Sequence, residues 1–403
     1  MKTPRIWTFL LTGTAVLGLA TTNALAEPLR LIETAGWFAT EIAAKHPGLL
    51  KPVTSFATEK NESALALVPM DALPVLAQEW HQRTHRCGGF IDVTHESTHT
   101  LIGEEAKPQA KYALPALNGR KQAIVDALKE IRPDNIRDFV NLYTGAFKTR
   151  NARSPEGQKA PLWLANHWRE MALRHDPNTK ITVETLNPPS GYNQANVRIT
   201  IPGSDASLPI VIMGGHLDSI SSRGSDAPGA DDDASGISAL TEAYRVMLSR
   251  NLKPKATIQI FGYAAEELGL LGSRTLAELY QRQGIKVRGA LQLDMVAFPG
   301  TSGKVTFITD YVNRELTTWT QQIYGLYDGG EIQEDQCGYA CSDHASWNRY
   351  GFASVFPFEA ATNQMNRRIH TTRDVWDNQL DAEYAARFVK IAYAFAAELS
   401  ESE

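Results

Sequence analysis

The sequence predicts an α/β fold in which helices cover both faces of a β-sheet. From about residue 115 onwards, strand-like segments alternate with helical patterns, which is typical of this fold class. The chain has 403 residues, 43% of them hydrophobic and 21% charged, so it has enough apolar material for a large core. Several strand-like segments end in glycine, histidine or acidic residues, and sites in α/β sheets form at the carboxyl ends of strands.

The predicted elements follow one another without an internal repeat. Helical patterns cover about 119–131, 133–146 and 157–174, and strands cover about 180–186, 195–201 and 209–214. A helix near 236–251 precedes strand 256–263, helix 270–283 and strand 287–293. Strand 304–309, helix 312–325, strand 353–358 and a final helix at 381–399 complete the series. The apolar run Pro209–Met213 indicates a buried strand.

The first 26 residues are expected to be a signal peptide. Lys2 and Arg5 precede an apolar run at 6–19, and Ala24-Leu-Ala26 matches a cleavage site of small residues. The run is short for a membrane span, and no other run approaches that length. We therefore expect a secreted protein, extracellular or periplasmic, with no membrane segment in its mature form. A net charge of −5 gives no reason to expect a nucleic-acid partner.

Three cysteines are present, Cys87, Cys337 and Cys341. Export permits disulfides. Cys337 and Cys341 lie close together in Cys-Gly-Tyr-Ala-Cys and are expected to pair, with a metal-binding thiolate pair as the alternative. Cys87 is then left over, and an odd thiol in an exported chain requires an explanation.

The acidic cluster Gly229–Gly236 lies just before a predicted helix. Asp231, Asp232 and Asp233 are consecutive, and such carboxylates repel one another unless a cation or hydrogen bonds hold them. Further metal-capable residues follow other strands, namely His216, Glu266 or Glu267, Asp294 and His370. Carboxylates with imidazoles suit zinc, cobalt or manganese, and their number exceeds what one tetrahedral zinc needs. The pattern predicts two ions about 3.5–4 Å apart with one bridging acid.

The dipeptide Glu266-Glu267 is expected to divide two tasks. Consecutive residues of extended backbone point to opposite sides, so one glutamate would bind metal while the other faces the substrate. A glutamate in that second position can take a proton from water and pass it to a leaving amine. The alternative is a helix start, where acids favour the macrodipole.

Six motifs together carry a resemblance to a known family. They are Gly214–Ser219, Gly229–Gly236, Ala265–Gly269, Leu291–Met295, Cys337–Trp347 and Arg368–Thr372. In this order they resemble the bacterial leucyl aminopeptidases, secreted enzymes with two zinc ions, over about residues 115–399. The resemblance implies a three-layer α/β/α domain around a mixed, mostly parallel sheet, here assigned to 106–403.

The resemblance also implies a role for each site residue. Asp232 resembles the ligand that bridges the two zinc ions, and Glu266 resembles the general base. The further ligands that it implies are Glu267 and His370 for one ion, and His216 and Asp294 for the other. Asp218 is expected to accept a hydrogen bond from His216. Asp233 is expected in the same supporting layer, with a cis peptide bond between Asp232 and Asp233.

The resemblance further implies an apolar pocket for the N-terminal side chain of a peptide. Its wall is expected to consist of Met295, Ile308, Tyr339, Phe356, Phe358 and Ile369. Such a wall favours large hydrophobic side chains such as that of Leu. The preference is expected to be broad, because one buried methylene group changes the binding free energy by only about 1–3 kcal/mol. Thr362 and Met365 stand where the family carries aromatic residues, which leaves the preferred side chain open.

Residues 27–105 are interpreted as a pro-region, which the family commonly carries and removes. His81 and His85 have the spacing of a zinc-binding helix, but Gln82 stands where that motif needs glutamate, so a metal site there is disfavoured. Cys87 suggests a second hypothesis, in which its thiolate caps a zinc ion in the precursor.

The predicted function is hydrolysis of the first peptide bond of peptides with a free N-terminus, by a monomer with two zinc ions. The alternative is a glutaminyl cyclase, which shares the fold and uses one zinc ion. A catalytically silent binding domain is disfavoured because none of the implied ligands is missing from the sequence.

Overall fold

The computed structural model describes most of the chain. The described residues are 29–57, 62–84, 86, 88–94, 112–222 and 224–402. The predicted signal peptide, the predicted boundary near residue 105, His85 and Cys87 fall outside these ranges.

The leading segment, residues 29–94, folds around a four-stranded antiparallel sheet. Its elements are β1 (Leu29–Ala35), α1 (Gly36–Lys45), β2 (Lys51–Ala57), β3 (Glu62–Pro69), α2 (Leu73–Thr84) and β4 (Phe90–Asp92). The strand order is β2-β3-β1-β4. Ile32, Phe38 and Trp80 are among the buried side chains that pack beneath it.

A second sheet of eight strands forms the centre of the remaining chain. Its strands are β5 (Thr182–Thr185), β6 (Val197–Ile201), β7 (Ile210–His216), β8 (Ile258–Tyr263), β9 (Val287–Gln292), β10 (Val305–Ile308), β11 (Ile332–Asp335) and β12 (Ser354–Phe358). Their order is β11-β10-β12-β9-β7-β8-β6-β5. Strands β12, β9, β7 and β8 are parallel neighbours, and β10 and β11 also pair in parallel. The remaining pairs are antiparallel, so the sheet is mixed and mostly parallel, as predicted.

Helices cover both faces of this sheet. They are α3 (Gln122–Leu128), α4 (Pro133–Ala146), α5 (Ala160–His175), α6 (Ala234–Ser249), α7 (Leu271–Arg282), α8 (Arg314–Tyr327), α9 (His344–Arg349) and α10 (Ala382–Leu399). Side chains of β8 alternate between two cores. Ile258 and Ile260 pack with α6 and α10, whereas Phe261 and Tyr263 pack with α7 and α9. This arrangement confirms the predicted three-layer α/β/α fold.

Polar side chains fix where several of these helices begin. At the start of α6 the Asp233 carboxylate accepts a hydrogen bond from Gly236 N at 2.8 Å. The side chains of Asn313 and Asp381 accept comparable bonds at the starts of α8 and α10. Pro133, the first residue of α4, needs no hydrogen-bond partner for a backbone N–H.

The sequence analysis missed two short elements, β11 and α9. Strand β11 lies at an edge of the sheet and consists mostly of polar residues, Ile-Gln-Glu-Asp, so it lacks an apolar pattern. Helix α9 has six residues and directly follows the cysteine loop. Within the described ranges, no helix combines the length and hydrophobicity needed to cross a membrane.

Candidate metal centre

Three neighbouring parallel strands deliver most of the predicted site residues to one edge of the sheet. His216 is the last residue of β7, Glu266 and Glu267 follow β8, and Asp294 follows β9. Because β8, β7 and β9 are adjacent and parallel, their carboxyl ends meet. Asp232 precedes α6, and His370 comes from the long loop after β12.

The five predicted ligands come together as two groups that share Asp232. In the first group, His216 Nε2 lies 2.9 Å from Asp232 Oδ1 and 3.5 Å from Asp294 Oδ1. In the second group, His370 Nε2 lies 3.0 Å from Asp232 Oδ2 and 2.8 Å from Glu267 Oε2. Asp232 thus presents a different oxygen to each group. All five side chains are at most 2% exposed.

The local charge shows why this cluster fits divalent cations. Burial raises the pKa of the Glu266 carboxyl well above its usual value. Burial, together with the charge of Asp232, raises the pKa of Glu267 to about 7. Ionised acids at this depth need neighbouring positive charge, which a divalent cation supplies. Two imidazoles and three carboxylates are a donor set that zinc accepts, and their number and arrangement fit two ions.

Glu266 and Glu267 sit in a strained turn rather than in extended backbone, which corrects the prediction. Ala265 has φ 50°, Glu266–Leu268 form one 3₁₀ turn, and Leu270 has φ 58°. Non-glycine residues rarely adopt such left-handed angles. The two side chains nevertheless differ in surroundings. Glu267 Oε2 lies 2.8 Å from His370 Nε2, whereas Glu266 makes no such ion pair among the described residues. Neither carboxylate has a hydrogen-bond partner there.

Asp218 and Asp233 hold the backbone around the ligands. Asp218 Oδ1 lies 3.4 Å from His216 Nδ1 and accepts the N–H of Glu266 at 2.9 Å, while its Oδ2 accepts the N–H of Glu267 at 3.3 Å. Asp233 accepts the N–H groups of His216 and Met295 in addition to capping α6. The peptide bond between Asp232 and Asp233 is cis.

Asp374 and Ser342 also support the site and were missed by the sequence analysis, whereas Asp231 was noted there as part of the acidic cluster but without its partners. Asp374 accepts the N–H groups of Asp231 and Asp232, at 3.0 and 3.2 Å. Ser342 donates to Asp294 Oδ2 at 2.6 Å. Asp231 itself accepts bonds from the loop after β9 and from the loop of His370. Ser342 lies within a family motif, which was an available signal, whereas Asp374 lies in an ordinary polar loop.

The predicted pocket residues also gather in one place. Met295, Ile308, Phe356, Phe358 and Ile369 form a single buried cluster, with Tyr339 packed against it. A disulfide between Cys337 and Cys341 joins this cluster, which confirms the predicted pairing. Tyr339, Phe356 and Phe358 line one small cavity together with Asp294, so the cavity adjoins one of the candidate metal ligands. A larger cavity of about 760 Å³ elsewhere contains none of the predicted site residues.

The leading segment lies over this site. The ring of His81 is 4.8 Å from that of His370, and the ring of Trp80 is 4.8 Å from that of Tyr339. The apolar core of the segment continues into Ala265, Leu268 and Leu271, which lie in or beside the turn that carries Glu266 and Glu267.

Comparison with known proteins places the chain in a family. The profile of Peptidase family M28 matches residues 196–396. Leucine aminopeptidase 1 of Phaeosphaeria nodorum is 31% identical over 88% of this chain and 93% of its own length. The crystal structure of the Legionella pneumophila LapA aminopeptidase is 28% identical and superposes with a TM-score of 0.79 over 93% of this chain and 99% of that one.

A glutaminyl cyclase of Bacteroides thetaiotaomicron shares the fold more distantly, at 17% identity and a TM-score of 0.52 over 66% of this chain and 97% of its own. The matches therefore support the leucyl aminopeptidase resemblance at the level of the family. The bacterial subgroup stays a prediction, because curated relatives such as Leucine aminopeptidase 1 come from fungi. The chain belongs to peptidase family M28 and is a zinc-dependent aminopeptidase.

Proposed function

We propose that this chain is a secreted two-zinc aminopeptidase that removes large hydrophobic N-terminal residues, such as Leu, from peptides. The observation that carries the proposal is the position of Asp232, which turns one carboxylate oxygen toward each of two buried histidine–acid groups. A site for a single ion does not need a carboxylate shared in this way.

The proposed ligands form one set of three residues for each ion, and Asp232 belongs to both sets. His216, Asp232 and Asp294 would hold one, and Asp232, Glu267 and His370 would hold the other. When bound, zinc supplies Lewis acidity, which polarises a peptide carbonyl and makes water more acidic.

Glu266 is the proposed general base. Its carboxylate is buried and interacts electrostatically with His216, Asp294 and Glu267, which belong to both groups. Within the described part of the chain it makes neither a hydrogen bond nor an ion pair like that of Glu267 with His370, so it is available to a water or a substrate. It takes a proton from the water that attacks the first peptide carbonyl. When the C–N bond breaks, it returns this proton to the leaving amine. The raised pKa of Glu266 suits both steps, because a carboxylate that is more basic than an ordinary glutamate takes up a proton more readily and can then donate it.

The apolar cluster around Phe356 and Phe358 receives the N-terminal side chain. The disulfide holds the loop that carries Tyr339 against this cluster, which supports Tyr339 as a wall of the pocket and as a weaker candidate for stabilising the oxyanion. The acids at the metal site attract the free α-amino group. This combination predicts that peptides with a blocked N-terminus are not hydrolysed.

The leading segment is the proposed pro-region, removed after export. Its interface resembles a protein core, since apolar side chains of both parts pack together. Asp92 lies buried between Arg30 at 3.6 Å and Arg274 of α7 at 3.9 Å. The position of His81 and Trp80 over the site supports a segment that blocks access until it is removed.

The test combines metal analysis with kinetics. The full chain is folded, cleaved by limited proteolysis and loaded with zinc. We expect two zinc ions per chain and chelator-sensitive hydrolysis of Leu-p-nitroanilide, without cyclisation of a Gln-peptide. Glu266→Gln is expected to keep both ions and to lose at least about a hundredfold in kcat. Glu315→Gln, an exposed glutamate on α8, serves as the control.

Near-normal turnover by Glu266→Gln would remove the proposed role of this residue. A single zinc ion together with cyclase activity would instead identify the chain as a glutaminyl cyclase.

A further inference from the structure

One side chain of the leading segment enters the predicted substrate pocket. Arg86 crosses to the other part of the chain, where its Nη1 donates to the carbonyl oxygen of Cys337 at 2.8 Å and its Nη2 donates to Thr362 Oγ1 at 3.3 Å. Arg86 lines the same cavity as Asp294, Phe356 and Phe358. The space left in that cavity is only about 20 Å³, which is room for about one water molecule. The guanidinium therefore occupies the place that a substrate side chain would take.

One acceptor of Arg86, the hydroxyl of Thr362, is held in an orientation that suits a cation. Thr362 donates its N–H and its hydroxyl proton to Asp335 Oδ2, at 2.8 and 2.9 Å. Because its proton points to Asp335, the hydroxyl can offer only lone pairs to Arg86. Burial opposes ionisation of Asp335, but the bonds from Thr362 and the charge of Arg86 hold the pKa of this carboxyl below its usual value. Arg86 is thus linked through Thr362 to a carboxylate.

The second acceptor is also held in place. Asp310 accepts the N–H groups of Cys337 and Gly338, at 3.0 and 2.7 Å. The disulfide to Cys341 ties the same residue to the far end of its loop. The Cys337 carbonyl is therefore fixed toward the cavity independently of Arg86.

We infer that the pocket has an apolar wall and a cation-binding end, so that the mature enzyme also accepts N-terminal Arg and Lys, with Asp335 as a specificity-determining residue. This inference rests on the proposed function and extends its range of substrates. The acceptors, Cys337 O, Thr362 Oγ1 and Asp335, all belong to the part of the chain that remains after removal of the leading segment. When Arg86 is removed with the leading segment, these acceptors are free to bind another cation. The long stems of Arg and Lys can pack against Phe356, Phe358 and Met365 while the charged end reaches these acceptors.

A neutral analogue separates this binding mode from simple apolar packing. Citrulline has the length and planarity of arginine but no charge. A hydrogen bond to a charged group is stronger than a neutral one, which predicts that kcat/KM for an Arg-anilide exceeds that for the citrulline-anilide by at least about tenfold. Parent enzyme suffices for this comparison, so it does not depend on the folding of any variant.

The assay uses the full chain, folded, cleaved by limited proteolysis and loaded with zinc, with Arg-, Lys-, citrulline- and Leu-p-nitroanilide. Asp335→Asn is expected to lower the Arg-to-Leu ratio of kcat/KM by at least about tenfold. The control is Glu334→Gln, which removes the same charge from the adjacent residue of β11, whose carboxylate faces Arg314 and Gln321 on α8. This control should keep the ratio within about twofold of the parent.

Two results overturn the inference alone: an Arg-anilide that is no better than the citrulline-anilide, or an Asp335→Asn ratio equal to that of the parent, each with Leu-anilide still hydrolysed. If none of the anilides is hydrolysed by the zinc-loaded enzyme, the proposed function fails and this inference fails with it.

Discussion

Asp218→Asn tests whether the Asp218 carboxylate positions both a proposed metal ligand and the proposed general base. The Asp218 carboxylate accepts the N–H groups of Glu266 and Glu267 on its two oxygens and lies 3.4 Å from His216 Nδ1. Asparagine offers one oxygen, so its amide NH₂ must face the N–H of Glu267 in one orientation, or the N–H of Glu266 and the imidazole of His216 in the other. The shape of the residue stays the same, and only the charge and one acceptor are lost.

The expected size of the effect follows from these contacts. Losing one hydrogen bond to a charged, buried acceptor costs about 1.5–3 kcal/mol, which corresponds to roughly tenfold to a hundredfold in an equilibrium or rate constant. Because the affected N–H groups belong to Glu266, the proposed general base, and Glu267, a proposed ligand, we expect this loss in zinc affinity and in kcat. KM should change little, since the apolar pocket lies on other loops.

The assay measures kcat and KM on Leu-p-nitroanilide across a range of free zinc concentrations. Asp226→Asn, an exposed residue of the same loop, is the control. If Asp218→Asn remained within about twofold of the parent at every zinc concentration, Asp218 would have no positioning role and the reasoning from its hydrogen bonds would be wrong.

Two further predictions concern stability. In chelated protein, burial raises the pKa of Glu267 to about 7 and that of Asp374 to about 8. The folded state therefore holds these protons more tightly than the unfolded state, and the stability this provides is complete below about pH 4 and lost as the pH rises through 7 to 8. Thermal unfolding of the chelated protein should show a falling Tm between pH 5 and 8, and zinc should remove most of that fall; a Tm that rises with pH in chelator would contradict this. Separately, Asp92→Asn leaves two buried arginines without their carboxylate and should weaken the docking of the leading segment by about 3–5 kcal/mol. Proteolytic removal of the segment should then be faster than in the parent and in the exposed-site control Asp71→Asn, and an unchanged cleavage rate would count against the ion pair as a clamp.

Three of the five candidate ligands were accessible from the strand pattern of the sequence, because His216, Glu267 and Asp294 end or closely follow recognisable strands. His216 ends an apolar strand, and Asp294 comes directly after another. Parallel neighbours then bring such residues to one edge without further information. The motifs around Asp232 and His370 supplied what the strand pattern did not, because these two residues lie on loops.

Other features depend on contacts that a local pattern does not encode. The left-handed backbone of Ala265 gives no signal, since alanine ordinarily avoids that conformation. In the sequence, Asp374 cannot be distinguished from a solvated loop acid. The fold places its carboxylate where it accepts the N–H groups of Asp231 and Asp232. Arg86 is similar, because its partners Cys337 and Thr362 lie more than 250 residues further along the chain.

The central claim is that two divalent cations share Asp232, and anomalous diffraction from crystals of the zinc-loaded enzyme at the zinc absorption edge tests it most directly. We expect two peaks about 3.5–4 Å apart, one about 2.0–2.1 Å from a nitrogen of His216 and the other at the same distance from a nitrogen of His370, with an oxygen of Asp232 beside each. A single peak, or two peaks of which neither lies beside Asp232, would contradict the account.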